Sequence, residues 1–87
     1  MISTSQHSVD GTAVKLVSTT QTPKNVFIHC VGNGSVYING SNAVTTSTGF
    51  YMDKAGGPIQ MELGPADEVW SIAASGTQTV TVAVVTL

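Results

Sequence analysis

The sequence has few charged residues, no arginine and one cysteine. Charged residues make up 9% of its 87 residues, against about 25% in an ordinary soluble domain. Three lysines are its only permanent cations, and the formal net charge is −2. Binding to nucleic acid through phosphates requires clustered lysine and arginine. The composition therefore argues against a nucleic-acid partner.

Other missing features limit the compartment and the cofactors. Cys30 has no second cysteine with which to form a disulfide in the chain, and no Cys/His spacing is typical of a structural metal. We therefore expect no metal and no other cofactor. The first residues lack the basic start and apolar core of a signal peptide. No run approaches the ~18 apolar residues of a membrane span. The sequence thus predicts synthesis in the cytoplasm and no membrane partner.

Valine and threonine are the commonest residues, and both favour pleated, half-buried surfaces. Short alternating runs are separated by Gly32-Asn33-Gly34, Asn39-Gly40 and Gly56-Gly57-Pro58, a pattern typical of β-hairpins. The predicted strands cover residues 12–19, 25–31, 35–39, 43–46, 50–54, 59–63, 67–75 and 78–87.

Seven or eight short strands at this spacing predict an all-β fold, namely a small antiparallel β-sandwich or jelly roll. We place a single domain at residues 12–87. Residues 1–11 are polar, and we interpret them as an extended N-terminal arm or a first edge strand that orders only against a neighbour. Gln21-Thr22-Pro23 should end the first strand, because proline cannot donate to a β-ladder.

The alternation in residues 59–63 is the clearest in the chain. Ile59, Met61 and Leu63 should face the core, and Gln60 and Glu62 should face solvent. The other residues expected to face inward are Val36, Ile38, Val80, Val82 and Val84. A chain of this size buries only ~60% of its unfolded surface, so we expect oligomerisation or docking to contribute to stability.

Few residues suggest chemistry. His29 and Cys30 are adjacent on a predicted strand and so point to opposite faces, which prevents a shared metal or a thiol–imidazole pair. Cys30 is expected to be buried. Asp67 and Glu68 are a possible half of a carboxylate pair, although they also suit a charged strand start. We find no catalytic residue and predict that the protein is not an enzyme.

The aromatic residues are spread over several predicted strands, so the sequence indicates no binding platform. We expect at least two of them in the core, and Tyr37 and Tyr51 at an interface. The remaining candidate interface residues lie in the N-terminal arm and in the turns: Ile2, Ser3, Thr4, Val9, Asn33 and Asn39.

Residues 36–50, VYINGSNAVTTSTGF, precede an aliphatic strand at 59–63 and the segment EVWSIAASGTQTV at 68–80. This combination resembles a recurrent element of small structural proteins of tailed bacteriophages. The resemblance covers about residues 26 to 85, and residues 1–24 match nothing in that family. It implies a folded virion module whose residues have structural roles and which carries no catalytic site.

Two functions follow as expectations from this resemblance. The first is a capsid decoration, or cement, protein on the capsid surface of the virion. Its partners would be the major capsid protein and other copies of itself, with a homotrimer expected from the local three-fold axes of icosahedral shells. The alternative is a fibre, spike or tail module that binds host-surface glycans.

Overall fold

A computed structural model describes residues 1–19 and 23–86. These residues form eight strands, which are β1 (Ile2–Val9), β2 (Val14–Ser18), β3 (Lys24–Cys30), β4 (Ser35–Asn39), β5 (Phe50–Asp53), β6 (Ile59–Leu63), β7 (Glu68–Ala73) and β8 (Gln78–Thr86). The described strands lie in two antiparallel sheets, sheet A in the order β1-β8-β3-β6 and sheet B in the order β2-β7-β4-β5. The predicted all-β sandwich is confirmed. The break predicted at Gln21 and Thr22 lies outside the described residues.

The strands pair as the two arms of one long antiparallel hairpin whose tip is the β4–β5 connection and which folds over to form two sheets. β4 pairs with β5, β3 with β6, β2 with β7 and β1 with β8. The further pairs β3–β8 and β4–β7 then join parts of the folded hairpin into sheets. This is the strand order of a jelly roll, one of the two architectures that the sequence predicted.

Most consecutive strands lie in different sheets. The prediction that the turns close β-hairpins is therefore wrong at most turns. Residues 31–34, which include Gly32-Asn33-Gly34, lead from β3 in sheet A to β4 in sheet B. Among the described strands, β4 and β5 are the one consecutive pair that is hydrogen-bonded. Alternation along a strand specifies the face that is buried but not the strand beside it.

The strand predicted at residues 43–46 is absent from the described loop 40–49, which connects β4 to β5. Side-chain hydroxyls there satisfy backbone groups that a strand would pair with another strand. Thr48 Oγ1 accepts from the N–H of Thr45 at 3.0 Å, and Thr45 Oγ1 accepts from the N–H of Ser47 at 3.2 Å. Such local bonds favour turns over β-ladders. Val44 is buried and anchors the loop.

The core between the sheets is aliphatic. Its buried members are Val9, Leu16, Val26, Ile28, Cys30, Val36, Ile38, Met52, Leu63, Val69, Ala73, Val80 and Val82. The alternation predicted for β6 is confirmed, since Leu63 is buried, Ile59 and Met61 are half-buried, and Gln60 and Glu62 are exposed. The buried position predicted for Cys30 is also confirmed.

No aromatic side chain belongs to the core formed by the described residues. The expectation of at least two buried aromatic residues is therefore wrong. Valine, isoleucine and leucine occupy most inward positions of the strands, and the space between two packed sheets is only about 10 Å thick. The aromatic residues consequently lie at outward positions or at the edge of the sandwich.

Within residues 1–11, interpreted from the sequence as an arm or a first edge strand, residues 2–9 form edge strand β1 of sheet A. All eight residues pair with β8 of the same chain, from Ile2 opposite Val85 to Val9 opposite Gln78. The next residue, Asp10, accepts a hydrogen bond from the N–H of Ala73 in β7 at 2.8 Å, where the chain crosses to sheet B. The N-terminal segment is thus continuous with the sandwich and does not form a separate arm.

Candidate interaction surfaces

The candidate interface residues at the N-terminus divide between the surface and the core. Ile2, Ser3 and Thr4 are exposed on β1. Val9, at the other end of the strand, is completely buried. Its inward orientation places it in the core, so the described fold offers it no surface at which to meet a partner.

The other candidates lie mostly on sheet B. Tyr37, Tyr51 and Asn39 occupy outward positions of β4 and β5. Asn33 is exposed in the turn between β3 and β4. The structure therefore brings three predicted residues to one surface and leaves Asn33 apart from them.

The two carboxylates that the sequence offered as candidates for catalysis, Asp67 and Glu68, both bind neighbouring groups of the fold. Asp67 Oδ2 accepts from the N–H of Gly64 at 2.7 Å, which closes the turn before β7. Glu68 Oε1 accepts from the indole N–H of Trp70 at 3.1 Å, and its Oε2 lies 3.9 Å from Lys15 Nζ. These contacts hold both carboxylates to turn and strand positions.

His29 and Cys30 face opposite sides of sheet A, as expected for neighbours on a strand. Cys30 points into the core, whereas His29 is half-buried on the outer face. Across residues 1–19 and 23–86, no group of three or more His, Cys, Asp or Glu side chains is placed to hold a metal ion. Within the same residues no helix is long and apolar enough to cross a membrane.

Sequence reasoning missed a cluster of aromatic and apolar side chains on the outside of sheet B. Tyr37 lies between Ile72 of β7 and Tyr51 of β5 in one row across the sheet, and Trp70 lies in the next row, opposite Asn39. The rings of Tyr37 and Tyr51 meet edge to face, with centroids 5.5 Å apart and an interplanar angle of 73°. We call Tyr37, Tyr51, Trp70 and Ile72 the aromatic face.

Charged side chains border the aromatic face. The Tyr51 hydroxyl donates to Asp53 Oδ2 at 2.8 Å. This hydrogen bond raises the pKa of the Tyr51 phenol above its ordinary value. The same bond, helped by the N–H of Gly56, lowers the pKa of the Asp53 carboxyl. On the opposite side, Lys15 Nζ lies 5.9 Å from the centroid of the Trp70 ring, within cation–π range.

An open, mainly apolar cleft lies on the side of the sandwich where β5 and β6 form the sheet edges. Its volume is about 840 Å³. The larger apolar residues that line it are Ile38, Phe50, Ile59, Met61, Leu63 and Val69. The side chain of Phe50 lies on the same face of β5 as buried Met52, yet 62% of its surface is exposed. Phe50, at the edge of sheet B, is the one aromatic residue of the described chain that lines this cleft.

The edge of β1 presents a row of backbone donors and acceptors. Met1 and Thr86 exchange both of their backbone hydrogen bonds, at 3.2 and 2.8 Å. In an antiparallel ladder such pairs alternate with pairs that are not hydrogen-bonded. The residues that direct their N–H and C=O groups away from β8 are therefore Ile2, Thr4, Gln6 and Ser8. No other strand of the described chain lies along this edge.

Comparison with protein-family models, with curated proteins and with solved structures finds no match to this chain. The functional interpretation therefore depends on the chemistry of these surfaces.

Proposed function

We propose that the protein is a structural component of a bacteriophage particle, a capsid decoration protein that binds the outside of the assembled head. One observation carries the proposal. The five aromatic residues, all within the described part of the chain, lie outside the buried core, and three of them share the aromatic face. Centres of protein interfaces are enriched in aromatic residues and depleted in charged ones.

Three other features support this function. Tyrosine and tryptophan are over-represented among the residues that dominate interface binding energy. A sequence with 9% charged residues suits a contact with little charge at its centre. Jelly rolls are also one of the architectures of viral capsid domains. The last point is an analogy of fold, so the position of the aromatic residues remains the stronger argument.

The proposed mechanism is binding without a chemical step. A protein that binds the assembled shell but not the free capsid subunit shifts the equilibrium toward the intact particle. The partner is the major capsid protein. It is contacted through the aromatic face and through the exposed side chain of Phe50, which precedes Tyr51 on β5. Where one decoration unit spans several capsid subunits, it makes several contacts at once. The combined affinity then exceeds that of any one contact, so each contact can be weak.

The test is electron microscopy of particles made with and without the gene, combined with sedimentation of purified protein with bare heads. Tyr51→Ala should weaken binding at least about tenfold, equivalent to about 1.4 kcal/mol. Phe27→Ala is the matched control, because Phe27 is an exposed aromatic residue on sheet A. It should bind heads as the unmodified protein does.

Three outcomes would contradict this proposal. One is a particle without the protein on its head. Another is density confined to the tail. The third is head binding that Tyr51→Ala leaves unchanged, which would exclude the aromatic face as the contact.

A second candidate function is binding of host-surface glycans by a fibre, spike or tail module. It is favoured by the arrangement of Tyr37, Tyr51 and Trp70 on one face with Asp53 beside them. Tyrosine and tryptophan combine an apolar ring face, on which a sugar can stack, with a polar group, and a carboxylate can accept hydrogen bonds from sugar hydroxyls. A glycan array with the unmodified protein and Tyr51→Ala distinguishes the two functions. Specific glycan binding that the substitution abolishes would favour this candidate.

A further inference from the structure

The β1 edge lacks the protection found at the other sheet edges of the described residues. β2 carries Lys15 and a register irregularity between Lys15 and Val17. β5 is only four residues long and ends at Asp53, and β6 carries Glu62. Charged residues, irregularities and shortness are the features with which natural proteins prevent edge-to-edge pairing.

β1 has none of these features. It is eight residues long, ISTSQHSV, with no lysine, aspartate, glutamate or proline, and its pairing with β8 is regular throughout. Its outward N–H and C=O groups remain available at every second residue, from Ile2 to Ser8. A long, uncharged and regular edge is a template for another strand.

We propose that two copies of this chain pair through β1, antiparallel and about a two-fold axis, so that their A sheets form one continuous sheet. In the symmetric register the axis passes beside Ser5. Ile2 then faces Ser8 of the second copy, and Thr4 faces Gln6. Both members of each facing pair direct their N–H and C=O groups outward, so each pair exchanges two N–H···O bonds.

A second copy fits this edge for three reasons. The two strands have equal length, so no outward backbone group between Ile2 and Ser8 is left without a partner. β1 contains no lysine, arginine or acidic residue. Pairing two copies of β1 therefore places no two side chains of these types, with the same charge, opposite each other. The pairing uses the same surface on both copies and consequently closes at two. This inference is independent of the capsid proposal and differs from the homotrimer expected from the sequence.

The first test is sedimentation velocity of the purified protein over a range of concentrations. We expect a reversible species of twice the 8.9 kDa chain mass. Gln6→Pro removes an outward N–H and leaves the bonds to β8 intact, because proline is tolerated on an edge strand with its nitrogen facing solvent. It should raise the dimer dissociation constant at least about tenfold, or about 1.4 kcal/mol. Gln6→Ala keeps the N–H and is the matched control, expected to dimerise normally.

A second test examines the register. The double substitution Thr4→Lys with Gln6→Lys places lysines opposite each other across the axis and should abolish the dimer. Thr4→Lys with Gln6→Glu places opposite charges there and should restore it. Circular dichroism melting of each variant verifies that the fold is retained.

The proposal is overturned if the unmodified protein remains a monomer up to its solubility limit, including the case in which β1 pairs only with another protein. It is also overturned if the dimer persists in Gln6→Pro, because the copies would then meet through another surface. Equal association of the two charge variants would exclude the symmetric register.

Discussion

Gln78 offers a quantitative test of how the two sheets are joined at one end of the sandwich. Two of the connections that cross between the sheets at this end are residues 31–34 and residues 74–77. Gln78 Oε1 accepts from the N–H of Gly34 at 3.0 Å, and Gln78 Nε2 donates to the C=O of Ser75 at 3.1 Å. One side chain therefore connects both crossings.

Gln78→Ala removes both hydrogen bonds. Each contributes a net 0.5–1.5 kcal/mol, so the free energy of unfolding should fall by about 1–3 kcal/mol. In a domain of this size each kilocalorie corresponds to a loss of about 4–8 °C in Tm. Urea unfolding followed by circular dichroism measures the change. Thr77→Ala is the control, because Thr77 is an exposed turn residue, and it should change stability by less than about 0.5 kcal/mol.

A double-mutant cycle with Gly34 makes the test specific. A Cβ atom at Gly34 would lie 2.5 Å from Gln78 Nε2, so Gly34→Ala must displace the amide and break its bonds. The φ of Gly34 is not positive, and alanine meets no backbone strain there. Gly34→Ala should therefore destabilise the unmodified protein by about 1 kcal/mol or more and cost much less in the Gln78→Ala background. Additive effects, or an unchanged urea midpoint in Gln78→Ala, would refute this role for Gln78.

Three other substitutions test the core, a buried hydroxyl and a titrating pair. Leu63→Ala should cost about 2–5 kcal/mol, because Leu63 is only 7% exposed; an unchanged denaturant midpoint would contradict its place in the core. Thr19→Val should cost about 1–3 kcal/mol in thermal unfolding, because Thr19 Oγ1 donates to the C=O of Gly64 at 2.6 Å; unchanged Tm would exclude this bond. Tyr51→Phe should raise the pKa of Asp53 measured by NMR, because it removes the main hydrogen bond that lowers it. Since the folded pKa of Asp53 lies below its unfolded value, its stabilisation is present above the unfolded pKa and is lost as pH falls through the folded pKa; an unmoved pKa would contradict the pairing.

Local pattern determined much of the secondary structure. The alternation of Ile59, Met61 and Leu63 with polar neighbours predicted the orientation of β6, and the general tendency of cysteine to be buried predicted the position of Cys30. The first prediction succeeds because successive side chains on a strand point to opposite faces, a rule that requires no knowledge of the partner strand. Residues 43–46 show where the rule fails, since threonine hydroxyls there stabilise a loop.

Strand order was decided only by tertiary structure. β1 pairs with β8 at the other end of the chain, with Met1 and Thr86 in hydrogen-bond contact across 85 positions. The aromatic face likewise exists because β4 lies between β5 and β7, which brings Tyr37, Tyr51 and Trp70 together. A period of two places each side chain on one of two faces. Which strands become neighbours depends on how both sheets together cover one core, and that is a property of the whole chain.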